Sequence, residues 1–571
     1  MKKTVFFVIL LQDETQNYYA MKTRSLFLTA AILALAMEAW AQSEVPKQPI
    51  DSLVPTIDTL MLEGVTISAE RPLFSVDGEK TLYQVSDDPT VQGGVASDAL
   101  QNAPGVSVDV EGNVTLRGAS DVEIWINDQP SHLNKENLKT YLQTLPANAI
   151  ERIEVITNPS ARYATIADGI INIVMNAKIK RNEFFCFGTN VSSQPYVMPW
   201  ASYVWKNEKW TVNAYASTYF YHGEADAQYE KDLFRKYENG DLVQASHTTN
   251  TRHNEYFTYS PGGNLNINYE PDHKNIYSFW VNFWDSFVRQ ERERTEFLEQ
   301  AGTYKYAIFN TSNSNYLSLY SGLYYQHKFN DEGHNLTLRV NGNWSRSALS
   351  LDDITSYTMP SPRERIFRMN YLTSNAPISV RADYNLPYSK NGKFSFGLNG
   401  SWEAANEHNF VDTLANDGYV RDSVMTYRYQ SKNQSVGGYF MMRHRFGNFT
   451  VQPGVNLRYY RTGIVYPDAP DFDFSNGDFD VTPSLHLSYR TASMHTFKLS
   501  YSMRVNRPTA VQLSPFNKYD EDLYSAGNEN LNPIYTQNFE ASWTKYWDGF
   551  GSVGLTGYYK DKKNEINTIM V

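Results

Sequence analysis

A two-residue alternation of apolar and polar side chains begins near residue 183 and limits the fold of this chain more than any other feature. In 394–402, Phe394, Phe396 and Leu398 alternate with small or uncharged polar residues. Successive side chains of a β-strand point to opposite faces, so this segment has one apolar and one polar face. Such alternation over about ten residues predicts an antiparallel transmembrane β-barrel. The same pattern occurs in 210–220, 336–344 and 496–503.

Composition argues against several other classes of protein. No segment after residue 41 approaches the roughly 20 apolar residues that a membrane-spanning helix needs. The net charge is -11 and Lys and Arg form no cluster, so nucleic acid is not expected as a partner. Cys186 is the only cysteine, which excludes an internal disulfide and a thiolate metal cluster.

Short and long connections alternate through 183–571, and their number predicts about 15 antiparallel strands. In such a barrel the long connections lie at one rim and the short turns at the other. We therefore expect the acidic segment 468–480 and the turn 330–334 at opposite rims. The short turns are predicted near 206–209, 271–275, 330–334, 386–393, 446–448, 491–495 and 547–549.

An odd number of strands disagrees with the even counts of single-chain bacterial barrels. Plugged barrels of outer-membrane transporters have about 22 strands. We therefore expect 183–571 to be an incomplete, C-terminally truncated barrel, with about 15 of about 22 strands. The alternative is a smaller closed barrel, in which the strands near 184–192 and 550–559 pair directly.

Residues 1–41 are predicted to be a leader with a secretory signal peptide. A short basic segment starts at Met21, an apolar run covers 26–37, and Ala39-Trp-Ala41 is a cleavage site. We expect translation to start at Met21 and cleavage to follow Ala41; an extended leader from Met1 is the alternative. The proline-containing segment 42–60 predicts a flexible linker.

Residues 61–178 mix helix and strand signals, which predicts a separate α+β domain inside the barrel lumen. Five motifs occur there in order: Pro104-Gly-Val, Val114-Thr-Leu-Arg-Gly, Ile124-Trp-Ile-Asn-Asp-Gln-Pro130, the segment 145–159, and Gly169-Ile-Ile-Asn-Ile-Val174. This order resembles the plug domain of TonB-dependent outer-membrane receptors. The run 158–163, Asn-Pro-Ser-Ala-Arg-Tyr, resembles the outer-membrane β-barrel family common in Bacteroidetes. The usual Gly-Pro is Asn158-Pro159 here, and 164–168 replaces a glycine-rich stretch.

The resemblance implies that plug arginines pair with carboxylates of the barrel wall, because a charge buried in the lumen needs a partner. An ordinary solvated strand face is the alternative. The candidates for plug ion pairs are Arg117, Glu151, Arg152, Glu154 and Arg162.

The resemblance also implies a segment before the plug that contacts a TonB-type energy-transducing protein. The candidate residues lie in a β-like stretch whose composition is generic for a plug strand: Leu62, Val65, Thr66 and Ile67.

These patterns favour a TonB-dependent receptor or transporter in the lipid of a Gram-negative outer membrane. It would take up a scarce or bulky extracellular ligand, such as an iron chelate, a glycan or a peptide. The alternative is a structural or export barrel that keeps a plug-like domain without energy coupling. The sequence contains no catalytic constellation, so we expect no enzymatic activity, no cofactor and no resident metal.

Overall fold

A computed structural model describes residues 73–566 of the chain with internal gaps. The gaps are 78, 92, 110–112, 118–121, 128, 132–137, 139–141, 143–144, 146, 164–168, 176–181, 192–195, 237–241, 300–303, 360, 417, 515–517, 521–522, 526 and 548–550. The predicted leader, linker and TonB-contact segment lie outside the described residues. The segment 138–145, which the sequence predicts to be a helix ending at Pro146, also lies mostly outside the described residues.

In its described residues, the N-terminal domain, called the plug below, contains a six-stranded sheet, one α-helix and a small hairpin. The sheet has the order β1-β2-β7-β8-β5-β6; β5 and β8 are parallel and the other pairs are antiparallel. The bounds are β1 Phe74–Asp77, β2 Lys80–Tyr83, α1 Ala96–Asn102, β3 Val106–Val108, β4 Val114–Leu116, β5 Val122–Ile126, β6 Gln129–Pro130, β7 Ile150–Ile156 and β8 Gly169–Met175.

One apolar core holds the plug together. Helix α1 ends shortly before Pro104, which cannot continue a helix, and its Leu100 packs fully buried in this core. Ile153 and Ile173, on the central strands β7 and β8, are also fully buried in it. Each buried side chain of this size contributes about 1.5–3 kcal/mol, so the plug has its own source of stability.

The second part of the chain is one large antiparallel sheet, called the wall below. Its strands are β9 Asn182–Val191, β10 Tyr196–Lys206, β11 Trp210–Lys236, β12 Leu242–Tyr269, β13 Asn275–Glu299, β14 Tyr304–Lys328, β15 Asn335–Met359, β16 Arg363–Asn375, β17 Ile378–Ser389, β18 Gly392–Ala415, β19 Gly418–Arg421, β20 Tyr427–Phe446, β21 Phe449–Val465, β22 Phe474–Arg490, β23 His495–Asn506, β26 Ile534–Trp547 and β27 Gly551–Lys563. Between β23 and β26 lie helix α2, Ala510–Leu513, and the hairpin of β24, Lys518–Asp520, and β25, Leu523–Ser525. In the described part of the chain, no helix is both long enough and apolar enough to cross a membrane.

The seventeen wall strands of the described residues occupy fifteen positions. Strands β16 and β17 lie end to end, separated by Ala376 and Pro377, and both pair with β15 and β18. Strand β19 pairs with the end of β18 within one hairpin. The prediction of about 15 antiparallel strands is therefore confirmed.

The seam between the last and first strands differs from the rest of the wall. The strand order is that of a ring, in which β27 is followed by β9 and β9 pairs with β10. Within the described residues, a continuous register of paired residues joins the other neighbouring positions of the wall but is not seen between β27 and β9. Side chains 553–560 of β27 are exposed on both faces. The wall is thus not closed by continuous pairing, as expected for an incomplete barrel.

The register places the short turns together. The pairs Lys328–Asn335, Ser389–Gly392 and Phe446–Phe449 all lie at one rim. The segment after Val465 lies at the opposite rim, because Val465 pairs with Gln430 far from the 446–449 turn. The predicted separation of 468–480 from 330–334 is confirmed.

Several connections expected to be long loops are strand instead. Strands β11 to β15 each have 25 to 28 residues, whereas a membrane crossing takes about 9–11. The spacing of the short turns predicts long loops near 223–260 and 288–314, and this prediction is wrong, because 223–236, 242–260, 288–299 and 304–314 are strand. The strands continue past the membrane because their polar residues can adopt β-structure. The backbone N–H and C=O groups there form hydrogen bonds across each hairpin.

A buried hydrogen bond inside the plug gives the first prediction. The Tyr83 hydroxyl donates to Asp88 at 2.5 Å, and both residues are buried. Burial acts to raise the pKa of Asp88, but hydrogen bonds from Tyr83 and Thr90 outweigh it, so the pKa lies below its ordinary value. We expect Tyr83→Phe to destabilise the plug by about 1–3 kcal/mol, because Asp88 loses a donor.

The depressed pKa of Asp88 fixes the sign of the pH dependence. Its stabilisation is present above about pH 4 and is lost as the pH falls through the lower folded-state pKa. In Tyr83→Phe the stabilisation by Asp88 should begin to fall at a higher pH than in the wild type. Urea titration of the full-length protein at pH 7 and pH 4, with deuterium uptake of β2 and β7 as the readout, measures both effects; equal midpoints for the two proteins at both pH values would contradict them.

Candidate functional site

The plug lies inside the barrel and contacts the inner face of β17, β20–β23 and β26. We call this set of polar plug–wall contacts the docking interface. It combines three groups of contacts, centred on Glu540, Glu79 and Asp383, with an ion pair between Asp77 of the plug and Arg443 of β20. The predicted placement of the plug in the lumen follows from these contacts.

Glu540, on β26, is the centre of the first group. Arg117 of the plug donates to it from Nη1 at 2.6 Å and from Nη2 at 3.4 Å, and Thr157 Oγ1 donates at 3.3 Å. Lys498 Nζ, on the neighbouring β23, lies 3.9 Å from Glu540 Oε1. The side chains of Glu540 and Lys498 are 5% and 4% exposed, so each charge depends on the others for compensation.

Arg117 reaches Glu540 from an unusual backbone conformation. It follows β4 and has a φ of 52°, a region that is costly for a residue with a Cβ. Such strain persists where surrounding contacts maintain it, as the paired hydrogen bonds to Glu540 do here. The link between the plug and β26 therefore shapes the local plug backbone.

Glu79, in the turn between β1 and β2, is the centre of the second group. Its carboxylate accepts from the Ser160 backbone N at 2.7 Å and from Ser160 Oγ at 3.0 Å, both within the plug. From the wall, Gln452 Nε2 donates to the carboxylate at 3.4 Å and Lys498 Nζ donates to the Glu79 carbonyl at 3.2 Å. Glu79 thus joins the first turn of the plug to β21 and β23.

Backbone groups of the plug extend the second group deeper into the lumen. Ala161 N donates to Ser484 Oγ at 3.1 Å, and Asn456 Nδ2 donates to the Ala161 carbonyl at 3.3 Å. Ser502 Oγ donates to Asn158 Oδ1. The segment 158–161, which carries the Asn-Pro-Ser-Ala motif, is therefore anchored to three successive strands of the wall.

Asp383, on β17, is fully buried at the centre of the third group. Arg381 donates to it from Nε at 2.9 Å, and the Tyr439 hydroxyl donates at 2.6 Å. Arg381 Nη2 also donates to the Arg162 carbonyl of the plug at 2.7 Å. Trp125 of the plug also lies beside this group: the Arg339 guanidinium of the wall is 5.2 Å from its ring centroid.

The candidate ion-pair residues divide between the docking interface and the plug interior. Arg117 and Arg162 face the wall, as described above. Arg152 pairs within the plug, at 2.9 Å from Glu154 and 3.3 Å from Glu151, and not with a wall carboxylate as expected. Glu154 is buried and also accepts from Lys80 at 2.5 Å. Lys80 and Arg152, both in the plug, therefore compensate the charge of Glu154.

A glycine allows the third group to form. Gly397 on β18 lies directly between Asp383 and Tyr439 in the register, and the Tyr439 ring crosses over it to reach the carboxylate. A Cβ at Gly397 would lie 2.0 Å from Tyr439 Cε1. A side chain there must displace the ring.

We therefore expect Gly397→Ala to destabilise the folded barrel by about 1–3 kcal/mol, the usual cost of overpacking. Gly342→Ala is the matched control, since a Cβ at Gly342 meets nothing within 4 Å. Urea midpoints of refolding into detergent micelles measure both changes. Equal midpoints for the two variants would show that Tyr439 can move without cost.

Two protein families match the sequence of this chain. The TonB-dependent Receptor Plug Domain matches residues 70–168, and the Outer membrane protein beta-barrel family matches residues 327–571. The chain has the plug and the barrel of a TonB-dependent receptor. It is therefore an outer-membrane protein, and the resemblance stated from its motifs is confirmed.

Solved structures with a similar chain trace share little sequence with this receptor. The copper transporter OprC is 12% identical, with 86% of this chain and 72% of that chain covered and a TM-score of 0.49. The RagAB peptide transporter is 9% identical, with coverage of 86% and 68% and a TM-score of 0.46. The alcaligin outer-membrane receptor FauA from Bordetella pertussis is 13% identical, with coverage of 86% and 72% and a TM-score of 0.41. No curated protein matches the sequence.

Sequence reasoning did not identify the wall residues of the receptor's docking interface. Glu540, Asp383 and Lys498 lie on the inward face of strands whose outward face is apolar. A charge within an alternating segment was the available signal, because a buried charge in a barrel needs a partner. The plug partners of Glu540, Arg117 and Thr157, lie 423 and 383 residues away along the chain, so sequence spacing does not reveal them. Asp383 differs, because its partner Arg381 lies two residues before it on the same strand.

The acidic segment at the long-connection rim forms ion pairs with arginines. Asp468 accepts from Arg428 at 2.7 Å, and Arg507 lies 2.6 Å from Asp480 and 3.2 Å from Asp478. These pairs join neighbouring hairpins of the receptor. Within the described residues, no group of three or more His, Cys, Asp and Glu side chains has an arrangement suited to a metal ion.

Proposed function

We propose that this receptor takes up a bulky or scarce ligand across the outer membrane, driven by force from a TonB-type partner. The observation that carries the proposal is the polar character of the docking interface. Hydrogen bonds between plug and wall can be replaced by hydrogen bonds to water, so each contributes only about 0.5–1.5 kcal/mol net, or about 1.5–3 kcal/mol where one partner is charged. A plug held in this way, with its own apolar core, can be displaced and can return.

The long strands supply a surface for ligand capture outside the membrane. Strands β11 to β15 continue well beyond a membrane crossing and carry polar pairs, such as Asp226 with His253 at 2.6 Å. At the same rim, Tyr427 donates to Glu407 at 2.9 Å, and Tyr429 also donates to it. Aromatic and acidic groups of this kind suit glycans, peptides or iron chelates.

Energy must reach the plug from the periplasm, because the outer membrane has no ATP of its own. We propose that the segment 62–69, with Leu62, Val65, Thr66 and Ile67, makes the contact with the TonB-type protein. In the sequence it precedes β1 by four residues, and β1 leads into the turn that holds Glu79. A pull on this segment therefore acts on the plug and not on the wall.

Deleting residues 58–69 tests the energy coupling. We expect growth on the transported nutrient to be lost while the amount of folded protein in the outer membrane is unchanged. A deletion of the same length in the predicted linker, 44–55, is the matched control and should retain growth. If the 58–69 deletion also retains growth, the protein is an uncoupled structural or export barrel, and the proposal is wrong.

Nutrients for this test come from a panel. A strain that lacks the receptor is grown with single iron chelates, glycans or peptides as the limiting source. The source on which it fails and the complemented strain succeeds identifies the ligand.

A further inference from the structure

The outer face of the wall, where the strands meet lipid, contains a groove of about 540 Å³ that crosses β22, β23, β26 and β27. This volume lies within the range of about 300–1,000 Å³ that is typical of small-molecule sites. The side chains around the groove are mostly large and apolar, among them Leu487, Leu499 and Leu555. Lys498 also borders it, but Lys498 alternates with Phe497 and Leu499 on β23, so its side chain points to the lumen.

Two small residues form the floor of this groove. Ala541 on β26 and Gly557 on β27 are direct cross-strand partners. The next rows on the same face carry large side chains on both strands: Phe539 with Tyr559, and Trp543 with Leu555. A Cβ at Gly557 would meet no atom within 4 Å. The small residues therefore leave an open depression between two rows of large ones.

The groove lies in the half of the membrane that is nearer to the short turns. Ala541 precedes Lys545 by four residues, and Lys545 pairs with His495 at the end of the 491–495 turn. Four residues at about 3.3 Å each place the floor about 13 Å from this rim. The hydrocarbon core is about 30 Å thick, and the short turns of such barrels face the periplasm. The groove therefore meets the acyl chains of the periplasmic leaflet.

Two hydrogen-bond donors lie at the rim end of the groove. His495 and Lys545 are direct cross-strand partners on the outer face. The Trp543 indole Nε1 donates to His495 Nδ1 at 3.0 Å, so the neutral imidazole carries its proton on Nε2, where it can donate. The Lys545 ammonium donates to the Ser493 carbonyl, and an ammonium has three donors in all. A positive charge and an imidazole N–H thus lie at the level of the lipid headgroups.

We propose that this groove binds one phospholipid with a net negative headgroup. An acyl chain lies over Ala541 and Gly557, and the headgroup phosphate lies between Lys545 and His495. Phosphate oxygens accept charge-assisted hydrogen bonds, which these two donors supply. A zwitterionic headgroup also carries an ammonium, which Lys545 repels, so a net negative headgroup is preferred. This site does not depend on the proposed uptake function.

Lipid binding to the purified full-length protein in detergent tests the site. The delipidated protein is mixed with equal amounts of phosphatidylglycerol and phosphatidylethanolamine that have the same acyl chains, and native mass spectrometry counts the lipids that stay bound. We expect one phosphatidylglycerol per protein. We expect a preference over phosphatidylethanolamine of at least about fivefold, the effect of one lysine charge near a membrane surface.

Filling the groove tests where the lipid lies. Gly557→Leu should lower phosphatidylglycerol binding about threefold or more, because the acyl chain loses its close packing on the floor. Ala541→Leu fills the same floor if the first variant fails to fold. Gly342→Leu is the matched control and should bind normally. Gly342 lies on the outer face of β15 with Val340, away from the groove, and a Cβ there also meets no atom within 4 Å.

Removing the rim charge tests the choice of headgroup. Lys545→Gln keeps a donor but loses the charge, and it should lose the preference for phosphatidylglycerol while still binding lipid. Lys209→Gln is the matched control, because Lys209 is an exposed lysine in another short turn of the same rim. The control should keep the full preference.

Four results would overturn the inference. They are the absence of bound lipid, equal binding of the two lipids, equal effects of Gly557→Leu and Gly342→Leu, and an unchanged preference in Lys545→Gln. A dimer without lipid that Gly557→Leu dissociates would also overturn it, because the groove would then be a contact between two copies of the chain. None of these results bears on the growth test of the 58–69 deletion.

Discussion

Replacing Glu540 with alanine should weaken the docking of the plug by about 3 kcal/mol, the lower end of the cost of breaking a buried ion pair. The substitution leaves the buried Lys498 ammonium and the Arg117 guanidinium without their shared acceptor. The side chain of Arg117 is 30% exposed and keeps part of its hydration, which places the effect at this lower end. Thr157 also loses its acceptor on β26.

Deuterium uptake by the plug segment 158–161, in which the Ala161 N–H donates to the wall, measures this effect in the full-length protein in detergent. A cost of about 3 kcal/mol corresponds to opening that is more than a hundredfold more frequent, together with larger single-channel conductance in planar bilayers. Glu565→Ala is the control, because Glu565 and Lys562 form an exposed pair at 4.0 Å, and such pairs contribute at most about 1 kcal/mol. Unchanged exchange in Glu540→Ala would show that the docking does not depend on this carboxylate.

The second large effect is expected for Asp383→Ala. Asp383 is fully buried and accepts from Arg381 and Tyr439, while Arg339 and Arg162 lie close enough for their charges to interact with it. Removing the carboxylate leaves several cations near one another in a site with little water. We expect a loss of about 3–5 kcal/mol in the stability of the assembled barrel and plug.

Migration of unheated samples in detergent gels reports folded barrel, and blotting of outer membranes reports how much is assembled. Asp383→Ala should reduce both severalfold. Asp352→Ala is the control because its pair with Arg368 is exposed on both sides. Asp383→Asn keeps the shape and one acceptor oxygen, so its level of folded protein should lie between those of Asp383→Ala and Asp352→Ala. A wild-type level of folded protein for Asp383→Ala would exclude a structural role for the carboxylate.

The wall was predictable because its signal is local. Alternation in segments such as 394–402 depends on neighbouring residues alone, and the apolar face is required wherever a strand meets lipid. The same locality explains why the strand count and the two rims followed from the sequence. Beyond the membrane no apolar face is required. The parts of β11 to β15 outside the membrane therefore have no sequence pattern that distinguishes a paired strand from a polar loop.

The docking interface was only partly predictable because it is not local. The L-R-G motif indicated Arg117 as a member of an ion pair, but nothing near it in sequence identifies Glu540, 423 residues later. Arg152 looked equivalent to Arg117. Arg152 pairs inside the plug because Glu154 lies two residues away on the same face of the strand. This nearby carboxylate binds Arg152 in place of a carboxylate of the wall.

The order of contacts along the plug has a mechanical consequence. Asp77 and Glu79 hold the β1–β2 turn through Arg443 and Gln452, which lie three residues from the 446–449 turn. The contacts of 158–161 with Asn456 and Ser484 lie farther from that rim. A pull on the segment before β1 therefore stresses the outermost bonds first and the inner ones in succession. When bonds break one after another, the force needed at any moment is that of a single bond. The plug can therefore be peeled from the charged part of the wall by a force far smaller than the force needed to break all of these bonds at once.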